Sequence, residues 1–192
     1  MRTTRLVFAC LLVAAFGGAG CYESLTSMVT PDKQVFYEDL VGEYEAVEPA
    51  TGRVTIEKGP DKGYAYRQYD DKGALANKGT LRLIKLGDNH FYEFTTERFA
   101  TSDGKPLYAV GRLAIEGEQG ARTLTGYAFE TKDAFFQGIG VVTAEYRYNE
   151  DGEEKKGRAL SMSPEALQAY LAAHAKEMAE RGLRLRQTRA AG

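Results

Sequence analysis

Thr80-Leu-Arg-Leu-Ile-Lys-Leu86, Gly87-Asp-Asn-His90 and Phe91-Tyr-Glu-Phe-Thr-Thr-Glu97 decide the fold. Two runs rich in apolar and aromatic residues flank a Gly-Asp-Asn turn, the pattern of a β-hairpin. The same arrangement continues in both directions. Upstream, residues 41–47, 53–58 and 63–69 alternate apolar and polar side chains. Downstream, residues 107–116, 122–129 and 139–148 do the same, and residues 158–162 form a last short run. Alternation with a period of two buries one face of a strand and wets the other. The segments between them hold turn residues: Gly59-Pro-Asp-Lys-Gly63, Asp71-Lys-Gly73, Ser102-Asp-Gly104, Gly117-Glu-Gln-Gly120 and Asp151-Gly152.

Eight or nine short strands without intervening helices predict a mainly β, antiparallel meander. A sheet of that width closes into a barrel or folds into a sandwich, because open edges invite aggregation. One helix is expected over residues 163–181. Ser163 is a suitable N-cap, Pro164 suits the first turn, and Glu165 complements the helix dipole. Leu167, Tyr170, Leu171, His174 and Met178 share one face, and Gly182 is placed to end the helix.

The N-terminus has another character. Met1-Arg-Thr-Thr-Arg5 is basic, residues 6–16 are apolar, and Gly17-Gly-Ala-Gly20 leads directly to Cys21. That order is a secretory signal over residues 1–20. Residues 6–20 are too few to span a hydrocarbon core of about 30 Å as a helix. Gly18-Ala-Gly-Cys21 resembles the lipobox of bacterial lipoproteins, with Gly18 where that family usually has Leu. The resemblance implies cleavage before Cys21 and acylation of its sulfur, palmitate included. It places the chain in the bacterial envelope, lipid-anchored on the outer membrane, its periplasmic side or the cell surface. Each buried CH₂ contributes about 0.8 kcal/mol, so two or three acyl chains hold firmly. Residues 21–34 are then expected as a lipidated N-terminus and polar tether. The barrel-like domain spans 35–182, and residues 183–192 form a basic tail.

Composition agrees with an exported globular domain: 43% hydrophobic and 27% charged residues. Losing residues 1–20 removes Arg2 and Arg5 and no acid, leaving 23 basic against 27 acidic residues, a net −4. Such a chain lacks the clustered positive charge that nucleic-acid binding requires. Of the two cysteines only Cys21 survives cleavage, so neither an internal disulfide nor a thiolate metal site is expected.

Two histidines, His90 and His174, lie on different elements and support neither a triad nor a metal site. No catalytic group, metal or cofactor is expected, and the chain reads as a non-enzyme. Among the strand carboxylates Glu43, Glu45, Glu57, Glu93, Glu130 and Glu145, any that pointed into a barrel would have a raised pKa. The aromatic set is the more suggestive one. Tyr64, Tyr66, Phe91, Tyr108, Tyr127, Phe129 and Tyr146 are candidates to line a ligand cavity. Phe135-Phe136 before Gly138 and Gly140 breaks the alternation and suits a bulge or lid.

Leu40-Val-Gly-Glu-Tyr44 resembles the Gly-x-Trp opening of lipocalin-type barrels, with Tyr44 in place of Trp. The resemblance implies that Tyr44 closes the barrel floor against Arg147 or Arg158. It also implies one cavity for a small apolar or amphipathic ligand. The rival expectation is a structural lipoprotein that binds another envelope protein and has no such cavity.

Overall fold

The computed structural model describes residues 22–47, 50–96, 100–129, 142–150 and 153–190. Its strands, in chain order, are β1 (Tyr22–Ser24), β2 (Gln34–Val35), β3 (Gly42–Ala46), β4 (Arg53–Lys58), β5 (Tyr64–Tyr69) and β6 (Leu75–Leu86). They continue with β7 (Asn89–Thr95), β8 (Tyr108–Glu116), β9 (Thr123–Ala128), β10 (Thr143–Glu150), β11 (Glu153–Leu160) and β12 (Ala179–Ala190). The helix α1 (Pro164–Ala173) stands between β11 and β12.

The hairpin of residues 80–97 is β6–β7. Its register runs from Leu86↔Asn89 to Thr80↔Thr95. The loop is therefore two residues, Gly87 and Asp88, and Gly87 has a φ of 58° that L side chains avoid. From β3 to β9 each strand pairs antiparallel with the next. β12 returns to pair with both β9 and β3. The result is a closed eight-stranded antiparallel barrel with one helix, as the alternation and turns predicted.

Alternate residues of each strand enter separate clusters. Leu81, Leu83, Tyr92, Phe94, Ala109 and Leu113 face inward with Tyr44, Val54, Ile56, Tyr64 and Tyr66. Their neighbours Ile84, Phe91 and Val110 face outward, where they are covered by Met28 and by Leu167, Tyr170 and Leu171 of α1. The helix begins as expected, with the Ser163 hydroxyl accepting from the Ala166 N–H.

Two sequence boundaries are corrected. The helix does not reach 181: it stops at Ala173, a 3-10 turn follows at Ala175–Glu177, and residues 179–190 are β12 rather than a basic tail. The physical reason is that β9 and β3 each present a row of unpaired backbone groups, and one strand satisfies both rows. Nor are residues 22–34, the described part of the expected 21–34 tether, a free polar segment. β1 pairs with β8 and β11, β2 pairs with β6, and Ser24 and Met28 are wholly buried. β8 makes this possible because it is longer than its partner. Arg112–Glu116 pair with β9, while Tyr108–Val110 are left for β1. With β10 and β11, β1 forms a three-stranded flap continuing from the barrel wall.

Candidate functional site

The barrel interior has two unlike ends. One is plugged by residues 35–41, between β2 and β3. The Phe36 ring stacks on Tyr64 with centroids 4.8 Å apart. The Tyr37 N–H donates to the Tyr64 hydroxyl at 2.7 Å, and that hydroxyl donates to the Tyr37 carbonyl at 3.2 Å. Tyr44, the aromatic of the Gly-x-Tyr segment, is fully buried and donates to the Leu40 carbonyl at 2.8 Å. Burial pushes the Tyr44 phenol well above its usual range and the Tyr64 phenol up to about 12. Both are neutral hydrogen-bonding struts.

The guanidinium at this end is Arg122, which pairs with Asp39 and acts electrostatically on Tyr44. Arg147 and Arg158, expected in that role, sit instead on β10 and β11, outside the closed barrel. Arg147 pairs there with Glu154 at 2.9 Å. The reason is topological: the last barrel strand is β12, which the sequence had not revealed as a strand.

The middle of the interior is filled by rings lying on glycines. Tyr66 and Phe94 meet edge to face at 5.2 Å. A methyl group added at Gly79 would come within 2.7 Å of the Phe94 ring, and one at Gly111 within 2.8 Å of the Tyr92 ring. Ring and glycine occupy one volume together, so these aromatics pack against protein.

At the other end the inward positions turn polar. β5 places Tyr64, Tyr66 and Gln68 on one face. Gln68, 1% exposed, is registered across from Asn77 of β6, which is also buried. The Tyr66 hydroxyl lies 3.4 Å from Gln68 Oε1. Gln68 and Asn77 were not among the sequence candidates. The signal was available, since residues 64, 66 and 68 are in phase, but amides read as solvent-facing by default.

The seven candidate aromatics do not come together around one space. Tyr64 and Tyr66 are inside the barrel. Phe91 and Phe129 lie on its outer wall, where Tyr108 and Tyr127 pack against their cluster. Tyr146 belongs to a separate cluster in the flap and donates to Glu23. Period-2 alternation identifies a face but not which layer covers it, so outer-wall rings buried by α1 resembled inner ones.

The strand carboxylates also resolve. Glu45, Glu57 and Glu145 are exposed, and Glu43 alternates with inward Tyr44. Glu130 and the Phe135-Phe136 segment lie outside the described residues, as does Cys21. Glu93 is buried, but on the outer wall beneath residues 27–29. Ser27 donates to its carboxylate at 2.9 Å, Met28 N–H donates at 2.9 Å, and Arg82 stands 3.6 Å away. Burial raises its pKa, and these hydrogen bonds oppose the rise.

His90, in β7, is half-buried. Its Nε2 is 2.8 Å from the Tyr37 hydroxyl, and burial lowers its pKa. His174 caps α1 and pairs through Nδ1 with Glu177 at 2.9 Å. The two lie on separate elements, each engaged with its own neighbours. Comparison with protein-family models, with curated proteins and with solved structures returned no match.

Proposed function

We propose that this chain is a bacterial envelope lipoprotein, acylated on Cys21, whose barrel holds a small amphipathic molecule. The anchor is supported by the basic, apolar and small-residue order that ends at Gly18-Ala-Gly-Cys21. The binding role is carried by the inequality of the two barrel ends. One is plugged with aromatic side chains, while the other buries the amides of Gln68 and Asn77 on an inward face. Burying an amide without full hydrogen bonding costs roughly 1–3 kcal/mol, so a barrel shaped for stability alone would carry hydrocarbon there. The filled middle confines the occupant to the Gln68 and Asn77 end of the barrel.

Metabolic labelling with a palmitate analogue tests the anchor. Label is expected on the wild-type chain and lost in Cys21→Ser; label that persists in Cys21→Ser rejects it. Native mass spectrometry of the protein purified from cells tests the barrel, with a co-purifying small molecule as the expected result. A chain that leaves the cell empty, and binds no apolar probe afterwards, passes the role to the rival of a protein-binding lipoprotein.

A further inference from the structure

Three glutamines are buried among the described residues, and two of them are engaged by the chain itself. Gln187 accepts from Gly120 N–H at 2.8 Å through Oε1, and its Nε2 donates to the Asp39 carbonyl at 3.2 Å. Gln168 Nε2 donates to the Met28 carbonyl at 2.8 Å and the Thr30 hydroxyl at 3.1 Å. Both hold neighbouring segments in place. Gln68 does not. Its Nε2 is sealed from solvent without a hydrogen-bond partner, and its Oε1 has only the long contact from Tyr66. A buried donor in that state costs the full desolvation of the group, so it marks a place where a partner belongs.

We propose that Gln68 Nε2–H is the donor for an uncharged, carbonyl-type oxygen on a small molecule held in the barrel. This deepens the ligand-holding role argued above and rests on it. The geometry sets the chemical class. Gln68 stands between Tyr66, which is completely buried beside Phe94, and the cross-strand amide of Asn77. The apolar part of the molecule meets the rings, and the oxygen accepts from the amide. A carboxylate is disfavoured because a buried charge requires a paired cation, and the inward neighbours named here are all neutral. An ester, ketone or amide oxygen carries no such requirement.

The probe is methyl octanoate, with nonane as a matched hydrocarbon of similar length, added to the full-length protein in detergent. Binding is followed by titration and by the ¹⁵N–¹H resonances of the Gln68 side-chain amide, assigned from their absence in Gln68→Met. Methionine keeps the length and removes the donor, so the variant should fold with a thermal midpoint equal to or above wild type. The ester is expected to shift the Gln68 amide resonances and to bind Gln68→Met about tenfold more weakly, the loss of one hydrogen bond from a buried donor. Nonane is expected to bind both proteins alike. Equal ester affinity for wild type and Gln68→Met, with the amide resonances unmoved, overturns the assignment of Gln68 and leaves the ligand-holding barrel standing. Failure of both probes to bind either protein removes the barrel role and this inference together. A Gln68→Met variant that folds but is clearly less stable shows the amide to be structural, and also overturns the proposal.

Discussion

Gly111 of β8 is directly opposite Tyr92, and the Tyr92 ring lies where a side chain would project. A Cβ there would also come within 2.7 Å of the Tyr127 carbonyl on β9. The backbone carbonyl cannot retreat without breaking the β8–β9 ladder, and the ring is buried. Gly111→Ala is therefore expected to cost about 1–3 kcal/mol, the usual range for overpacking a filled core. Urea denaturation checks it, and a variant within 0.5 kcal/mol of wild type, about the noise of a surface change, contradicts the packed-ring picture. The residue scale also separates two kinds of buried polar group. Tyr44, Tyr64 and Gln187 have partners that close the plugged end. Gln68 lacks an amide partner, and that difference, not its burial, makes it a candidate for binding.

The decisive element is β12. Leu185 pairs with Leu124 of β9 and with Ala46 of β3, and only 2% of its surface is exposed. Without this strand two barrel edges stand open. Leu185→Ala is expected to destabilise by about 2–5 kcal/mol, as for other large-to-small core changes. A chain stopped after Met178 is expected to lose cooperative thermal unfolding and to elute as aggregate on size exclusion. A monomeric, cooperatively melting truncation contradicts the closure. The helix is subordinate: α1 covers Phe91 and Val110 on the outer wall and contributes no member to the inner cluster.

For the molecule as a whole, the N-terminal segment is docked onto the barrel. Glu93 fastens that segment through Ser27 and Met28. Because burial raises the folded-state pKa, the folded chain holds the Glu93 proton more tightly than the unfolded chain does. Its contribution to stability is full below the unfolded value of about 4.5 and is lost as pH rises through the raised folded value. From about pH 4 to about pH 8 the wild-type urea midpoint should therefore fall relative to Glu93→Gln, which keeps the shape without the titration. A difference that stays constant with pH contradicts this account. Hydrogen exchange gives a second check: the Met28 amide, bonded to Glu93, should lose protection in Glu93→Ala.

The sequence by itself determined the antiparallel meander, a hairpin turning within residues 87–90 and the N-cap of the helix, and its composition sets residues 1–20 apart. These are local matters, set by a two-residue period, by turn chemistry and by runs of like residues. Only the tertiary structure decided that residues 179–190 are a strand, because the unpaired edges that recruit them come from β3 and β9, far away in the chain. It alone sorted Tyr64 and Tyr66 from Phe91 and Phe129, since alternation separates two faces but cannot say that a helix covers the outer one. It alone showed Gln68 as different from Gln168 and Gln187, because a hydrogen bond depends on what a distant segment brings within about 3 Å.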